Sequence, residues 1–246
     1  MDDRDLERYS RQLLVPGLEL EGQDALARAH VLLVGCGGLG AAAGLYLAGA
    51  GLGRITLVDD DCIELSNLPR QIAFAEHDLG DAKAEAFGRR LRDLNRSLTV
   101  DVHVGQFDSG SAPDLLRSVD CVIDGTDNHN SRCLIDLETA RRKMPWFMGG
   151  AVQMAGQNVA FSSDRGEGCY HCLAPECAAE GDNPCVRLGI LGPVVGSVAM
   201  QQVIDVIGWL TGVAVVPWGL LRQRDFRSGE AVSLPIGKRS GCPVCG

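Results

Sequence analysis

The segment from His30 to Asp61 constrains the fold more than any other part of the chain. An unbroken apolar run, His30-Val31-Leu32-Leu33-Val34, ends at Gly35, as a strand buried on both faces of a parallel sheet requires. The spacing then predicts a helix from about Leu39 to Ala50 and a second strand, Ile55 to Val58, ending at Asp59-Asp60-Asp61. Strand, helix and strand within about 30 residues form a βαβ unit. Between the first strand and the helix, Gly35-Cys36-Gly37-Gly38-Leu39-Gly40 matches G-x-G-x-x-G. Glycines there let backbone N–H groups at a helix N-terminus approach a phosphate, so Gly35, Gly37, Gly38, Leu39 and Gly40 are candidate nucleotide contacts. Asp59 follows Gly40 by 19 residues, the place from which a carboxylate accepts hydrogen bonds from ribose hydroxyls. Asp60 and Asp61 fit a solvated turn equally well, and Asp59 is preferred because strand ends face the ligand crevice; Asp61 is kept as a candidate on the same side. These residues imply a nucleotide without choosing it, and a nicotinamide-dependent oxidoreductase stays open at this point.

Beyond this unit the alternation continues. A helix is expected over 81–95, strands at Leu98 to Val104 and Cys121 to Asp124, a helix from Asn130 to Arg142, and a short strand near Trp146. This implies an α/β fold, a doubly wound Rossmann-like sheet, mainly parallel with helices on both faces. After Gly150 the alternation in Gln157-Asn158-Val159-Ala160-Phe161 suggests an antiparallel extension. Residues 163–188 are rich in Gly, Cys, Pro and Asp and read as a long loop, functional or metal-held. Gly192-Pro193 then opens a buried helix, with proline in a first turn where its missing N–H costs little, and the chain closes in strands and a Cys-x-x-Cys.

A formal charge of -9 offers no clustered positive charge for nucleic acid or anionic membrane, so neither is expected as a partner. The start, Met-Asp-Asp-Arg-Asp-Leu-Glu-Arg, has no apolar segment behind a basic one, which points to a cytoplasmic location. The most apolar stretch, between Arg187 and Asp205, is 17 residues long and holds Gln201 and Gln202, too short and polar for a bilayer span.

Without a secretory signal, ten cysteines argue for metal rather than disulfides. Cys169-Tyr170-His171-Cys172 and Cys242-Pro243-Val244-Cys245 supply four thiolates in two knuckle-like pairs, the set a closed tetrahedral zinc site requires, with redox cysteine pairs as the rival reading. The 69 residues between the pairs exceed a local zinc ribbon, so the tertiary fold must join them. His171 reads as a bystander. Cys36, Cys62, Cys121, Cys133 and Cys177 read as small apolar fillers.

Five ordered segments are more specific than the glycine loop alone: Arg8-Tyr9-Ser10-Arg11-Gln12, the loop itself, Leu65-Ser66-Asn67-Leu68-Pro69-Arg70-Gln71, Lys83, and Asp124-Gly125-Thr126-Asp127-Asn128. Together they resemble the HesA/MoeB/ThiF family, bacterial relatives of ubiquitin-activating enzymes, over nearly the whole chain. The resemblance implies a homodimer that uses ATP and Mg2+ to convert the terminal Gly-Gly carboxylate of a ubiquitin-like sulfur-carrier protein into an acyl-adenylate. A carboxylate attacking a triphosphate needs cations and oriented donors around the phosphoryl group. By position in the family pattern, Arg70 and Lys83 contact the phosphates, with Asn67, Gln71 and Asn128 lining the site. Asp127 holds magnesium, a hard cation suited to oxygen ligands, or caps the helix that follows Asn128. Arg11 is the arginine supplied across the dimer interface, whereas Arg8 keeps the default of a solvated helix face. The resemblance also makes the zinc structural. One domain, 1–246, is then expected, with a helical arm at 1–28, a nucleotide-binding core at 29–150, and an antiparallel, zinc and carrier-binding part at 151–246.

Cys185, before the buried helix, stands where the family has a cysteine that can bond to the carrier, as a thioester or an acyl disulfide; a retained loop cysteine is the alternative. The carrier expected first is that of molybdopterin synthesis, with the thiamin-pathway carrier close behind. No rhodanese-like domain follows Gly246, so a separate sulfur donor, a cysteine desulfurase or rhodanese, is expected. A nicotinamide oxidoreductase and a zinc-stabilised binding module are the readings from other classes.

Overall fold

A computed structural model describes residues 1–175 and 188–246. In chain order the elements are α1 (Asp3–Tyr9), α2 (Glu19–Arg28), β1 (His30–Val34), α3 (Gly38–Ala50), β2 (Arg54–Asp59), α4 (Lys83–Leu94), β3 (Thr99–Val104), α5 (Ala112–Leu115), β4 (Cys121–Asp124), α6 (His129–Arg142), β5 (Trp146–Val152), β6 (Ala155–Phe161), α7 (Tyr170–Leu173), α8 (Gly192–Thr211), β7 (Leu220–Asp225) and β8 (Ala231–Pro235). Every strand and helix expected from the sequence is present, with ends shifted by a few residues. The expected loop at 163–188 contains the short α7, and its residues 176–187, including Cys177, Cys185 and Arg187, lie outside the described residues.

One sheet of eight strands, in the order β3-β2-β1-β4-β5-β6-β7-β8, runs through both the core and the C-terminal part. Pairings among β1 to β5 are parallel, and β6 to β8 add an antiparallel meander. Side chains alternate across the pleat. Leu33, Ile55, Leu57, Ile123 and Phe147 bury toward α3, α4 and α8, whereas Leu32, Val34, Val58, Val122 and Trp146 form a second core with α6 and α7. Apolar side chains on both faces explain why β1 has no polar alternation. In this doubly wound order the chain reverses direction across the sheet between β1 and β4, and ligands bind outside the carboxyl ends of strands at such a point. The register brings these ends level, Val34 standing opposite both Val58 and Asp124. The loops after β1, β2 and β4 therefore emerge side by side.

The N-terminal arm is docked. Tyr9 is buried with its hydroxyl 3.1 Å from Asn95 Nδ2, and Gln12 Nε2 donates to the Ala50 carbonyl at 2.8 Å. α8 is long and apolar enough to cross a membrane by length and composition, yet half of its most apolar window is buried against the sheet. Asn158 Nδ2 donates to the Val198 carbonyl at 3.0 Å, and Gln202 Nε2 donates at 2.8 Å to the carbonyls of both Asp124 and Phe147. One amide thus ties α8 to the ends of β4 and β5. Cys36 and Cys121 are buried as expected of fillers, but Cys62 is exposed: it lies in the turn after β2, bridged to Ala82 by backbone. Alternation could not reveal this, because the turn has no period.

His30, at the amino end of the interior strand β1, is buried, its Nδ1 2.7 Å from the Ser118 carbonyl and its Nε2 2.8 Å from Thr56 Oγ1. Burial lowers its pKa below the ordinary 6.5, with the Ser118 carbonyl opposing. The unfolded chain then takes up the proton first, so this contribution to stability is complete above pH 6.5 and is lost as pH falls below it. Urea midpoints measured from pH 8 to 5 should fall on the acid side, and the fall should be shallower in His30→Gln.

Candidate nucleotide site and cysteine cluster

At the switch point the loops meet backbone to backbone. Gly35 has φ +90°, and a Cβ added to it would lie 2.8 Å from the Gly125 carbonyl; a Cβ on Gly40 would lie 1.9 Å from Gly35 O. These two glycines are required by close approach of the chain rather than by a ligand. Gly40 is not among the residues lining the cavity and packs against the Gly35 carbonyl. Gly37 faces open space, with only Gln71 Nε2 within reach at 3.7 Å. It is also the N-cap of α3 and provides no side-chain acceptor, so first-turn N–H groups are left for an anion.

A cavity of about 1770 Å³ opens over this helix end. Among the expected residues, Gly35, Gly37, Gly38, Leu39, Asp59, Asp61, Asn67, Arg70, Gln71, Lys83, Asp127 and Asn128 all line it. Asp59 is engaged by the backbone: it accepts from Cys36 N at 2.6 Å and Asp61 N at 2.9 Å, and burial raises its pKa against those donors. It therefore braces the glycine loop as well as facing the crevice. Lys83, the first residue of α4, is buried, and its Nζ lies 2.8 Å from Asp61 Oδ2. Asp61 is thus the partner of the expected phosphate-binding lysine. Arg70 Nη1 donates to the Ser66 carbonyl at 3.0 Å. Gln71 is 3% exposed, and its Oε1 has no hydrogen-bond partner among the described residues, an orphaned acceptor in a polar cavity.

The loop after β4 holds a second set. Asp124 is fully buried and accepts from Thr126 N at 2.8 Å, Thr126 Oγ1 at 2.5 Å and Arg132 Nε at 2.9 Å. Burial raises its pKa, opposed by the Arg132 charge and the Thr126 bonds. Arg132 Nη2 also donates to the carbonyls of Thr126 and Gly149, both at 2.8 Å. The cap of α6 is Asn128, accepting from Ser131 N at 2.9 Å, and not Asp127. A one-residue offset between equally good capping types decides this, and the sequence cannot resolve it. Arg132, His129 and Tyr170 also line the cavity and were not singled out by sequence. Spacing was the available signal: His129, Arg132 and Asp136 stand at i, i+3 and i+7, one face of a helix.

Arg11 is exposed and does not line its own chain's cavity, and Cys185 lies outside the described residues. The four expected metal ligands converge elsewhere. Cys169 Sγ is 3.5 Å from Cys242 Sγ and 4.0 Å from Cys172 Sγ, and Cys172 Sγ is 3.4 Å from Cys245 Sγ. A tetrahedron with metal–sulfur bonds of about 2.3 Å has edges of about 3.8 Å, so the four sulfurs fit one ion. Arg239 N points at Cys172 Sγ from 3.3 Å. His171 is more than a bystander: its Nδ1 bonds Asp136 Oδ2 at 2.7 Å, and Asp136 also accepts from the N–H groups of Tyr170 and His171 at 3.1 Å.

Strand order, switch-point cavity and uncapped glycine-loop helix define a doubly wound nucleotide-binding α/β protein, here carrying a four-cysteine cluster. The ThiF family matches residues 9–244, and the chain belongs to that family. It is 39% identical over its whole length to the sulfur carrier protein ThiS adenylyltransferase of Escherichia coli strain K12, spanning 97% of that protein. It is 33% identical, again over its whole length, to the molybdopterin-synthase adenylyltransferase of the same organism, spanning 98% of it. Among solved structures, E. coli MccB with ATP superposes with a TM-score of 0.82 at 25% identity, over 97% of this chain and 74% of that one.

Two outcomes follow from this geometry. Gly40→Ala should lower the urea midpoint by an amount equivalent to about 3 kcal/mol or more, because the clash is with backbone that cannot turn aside. Stripping metal with a chelator should release one ion per chain, read by atomic absorption, and lower Tm by more than about 10 °C.

Proposed function

We propose that this chain is an ATP-dependent adenylyltransferase that activates the C-terminal carboxylate of a ubiquitin-like sulfur-carrier protein. The observation that carries the reading is the convergence of Asn67, Arg70, Gln71, Lys83 and Asp127 on one cavity at the open N-terminus of α3. These are a charged pair of phosphate contacts, amides that can donate to anionic oxygens, and a carboxylate suited to Mg2+, arranged around a helix end that favours anions. The carrier carboxylate attacks the α-phosphate of ATP, forming the acyl-adenylate and releasing pyrophosphate. Lys83, held by Asp61 in the free protein, exchanges that partner for phosphate oxygen.

Arg11 requires a second copy. It lies off its own cavity, on an arm bearing exposed Leu14, Val15 and Leu20, with Val213 packed beside Gly17. A homodimer that covers this arm brings Arg11 of one copy to the cavity of the other. Zinc suits the four-cysteine cluster, being tetrahedral and thiolate-binding. Cys185 as carrier-bonding nucleophile and a separate sulfur donor complete the reading. Both carriers fit: identity is higher to the ThiS enzyme, 39% against 33%, and the molybdopterin-type carrier belongs in the same comparison. The nicotinamide alternative rests on the glycine loop and Asp59 alone, and Asp59 is already bonded by two backbone N–H groups.

With Mg2+, ATP and each purified carrier, radiolabelled pyrophosphate should exchange into ATP only when a Gly-Gly carrier is present. Arg11→Ala, Lys83→Ala and Asp127→Ala should each lower the rate by about 100-fold or more. Exchange at full rate with all carriers omitted would overturn the proposal.

A further inference from the structure

Tyr170 stands between two ligands of the four-cysteine cluster in sequence, yet it lines the nucleotide cavity. Its ring is 5% exposed and fixed on the apolar side, edge-on to Trp146 at 5.9 Å and to Phe161 at 6.3 Å. Its hydroxyl lies 2.7 Å from His129 Nδ1 and within reach of the Arg132 guanidinium. Its backbone N–H is held by Asp136. His129, Arg132 and Asp136 form one face of α6, about 10 Å from end to end. That face meets the cysteine knuckle at Asp136 and the phenol at His129 and Arg132. The same helix is capped by Asn128, the residue after Asp127.

We propose that Tyr170 is a positioning residue through which the cysteine cluster holds residues 124–132 in place for nucleotide. Cys169 and Cys172, fixed by their ion, fix the turn that carries the ring. The phenol then holds His129 in the first turn of α6, and Arg132 on the same helix face holds the carbonyls of Thr126 and Gly149 and the carboxylate of Asp124. The cluster and the cavity are in this way two ends of one rigid connection, and occupancy of either favours the other. This rests on the nucleotide site proposed above.

Because coupling between two binding sites is reciprocal, it can be read at the metal. In the full-length protein, zinc affinity is measured by competition with a chromophoric chelator, with and without magnesium and α,β-methylene ATP. Nucleotide should raise zinc affinity about tenfold in wild type and less than about twofold in Tyr170→Phe and His129→Leu. A merely structural tyrosine would weaken zinc equally with and without nucleotide, and that result overturns the proposal. Hydrogen exchange at residues 125–132 in the zinc-loaded proteins supplies a reading that needs no nucleotide. Faster exchange in Tyr170→Phe supports the connection, and unchanged exchange overturns it. Should wild type fail to bind the analogue by calorimetry, the functional reading fails, and the exchange at 125–132 still decides the connection.

Discussion

The site depends on one contact between two pieces of backbone. The carbonyl of Gly35, after β1, lies where a Cβ on Gly40 or Gly125 would be, at 1.9 and 2.5 Å. The loop after β1 and the loop after β4 therefore touch without side chains between them. That closeness follows from parallel strands ending level, and it creates a crevice whose floor is helix N–H groups on one side and the Asp124–Asn128 turn on the other. A methyl group at Gly35, Gly40 or Gly125 would separate the two walls before it touched any ligand.

Holding such a junction closed requires buried polar groups that reach it from both layers. Gln202 extends from α8 to the last carbonyl of β4 and to a carbonyl in β5, while Arg132 extends from α6 on the opposite face to Asp124, Thr126 and Gly149. The turn after β4 is thus gripped from above and below the sheet. A buried ion pair such as Arg132–Asp124 adds little net stability, because desolvation offsets most of its attraction. Its value here is geometric: guanidinium donors in a fixed fork determine the path of three carbonyl or carboxylate groups at once.

Legibility in the sequence tracked how local each cause is. The βαβ unit, the antiparallel strand at Gln157 and the buried helix from Gly192 were readable, because period and turn chemistry act over a few residues. The ordered motifs from Gly35 to Asn128 hold twelve expected residues that line one cavity. Gly40 packs against the Gly35 carbonyl, and a glycine needed for packing and one needed for a phosphate look identical in sequence. Asp127 and Asn128 exchanged capping roles for the same kind of reason. Tyr170, His129, Arg132 and Gln202 were not singled out because their importance comes from partners 17 to 78 residues away. Tyr170 in particular reads as a spacer inside Cys-x-x-Cys until the fold places its ring against α6.

Charge in the cavity bears on how the proposed nucleotide would be held. Eight carboxylate side chains line it among the described residues, against four cationic ones. Of these cations, Lys83 is already paired with Asp61 and Arg132 with Asp124. Arg70 and Arg224 are not so paired, and a triphosphate is an anion that a surplus of carboxylates repels. Helix N–H groups at α3 offset part of this, equivalent to roughly half an elementary charge. In the proposed function, further positive charge comes from outside the chain. A divalent cation can supply it on the carboxylate side, where Asp127 offers oxygen. An arginine from a second copy would supply it on the open side, and the proposal gives that role to Arg11, which is exposed and off its own cavity. Under the proposed function, the acidic lining would make nucleotide binding depend on both the metal and the second copy.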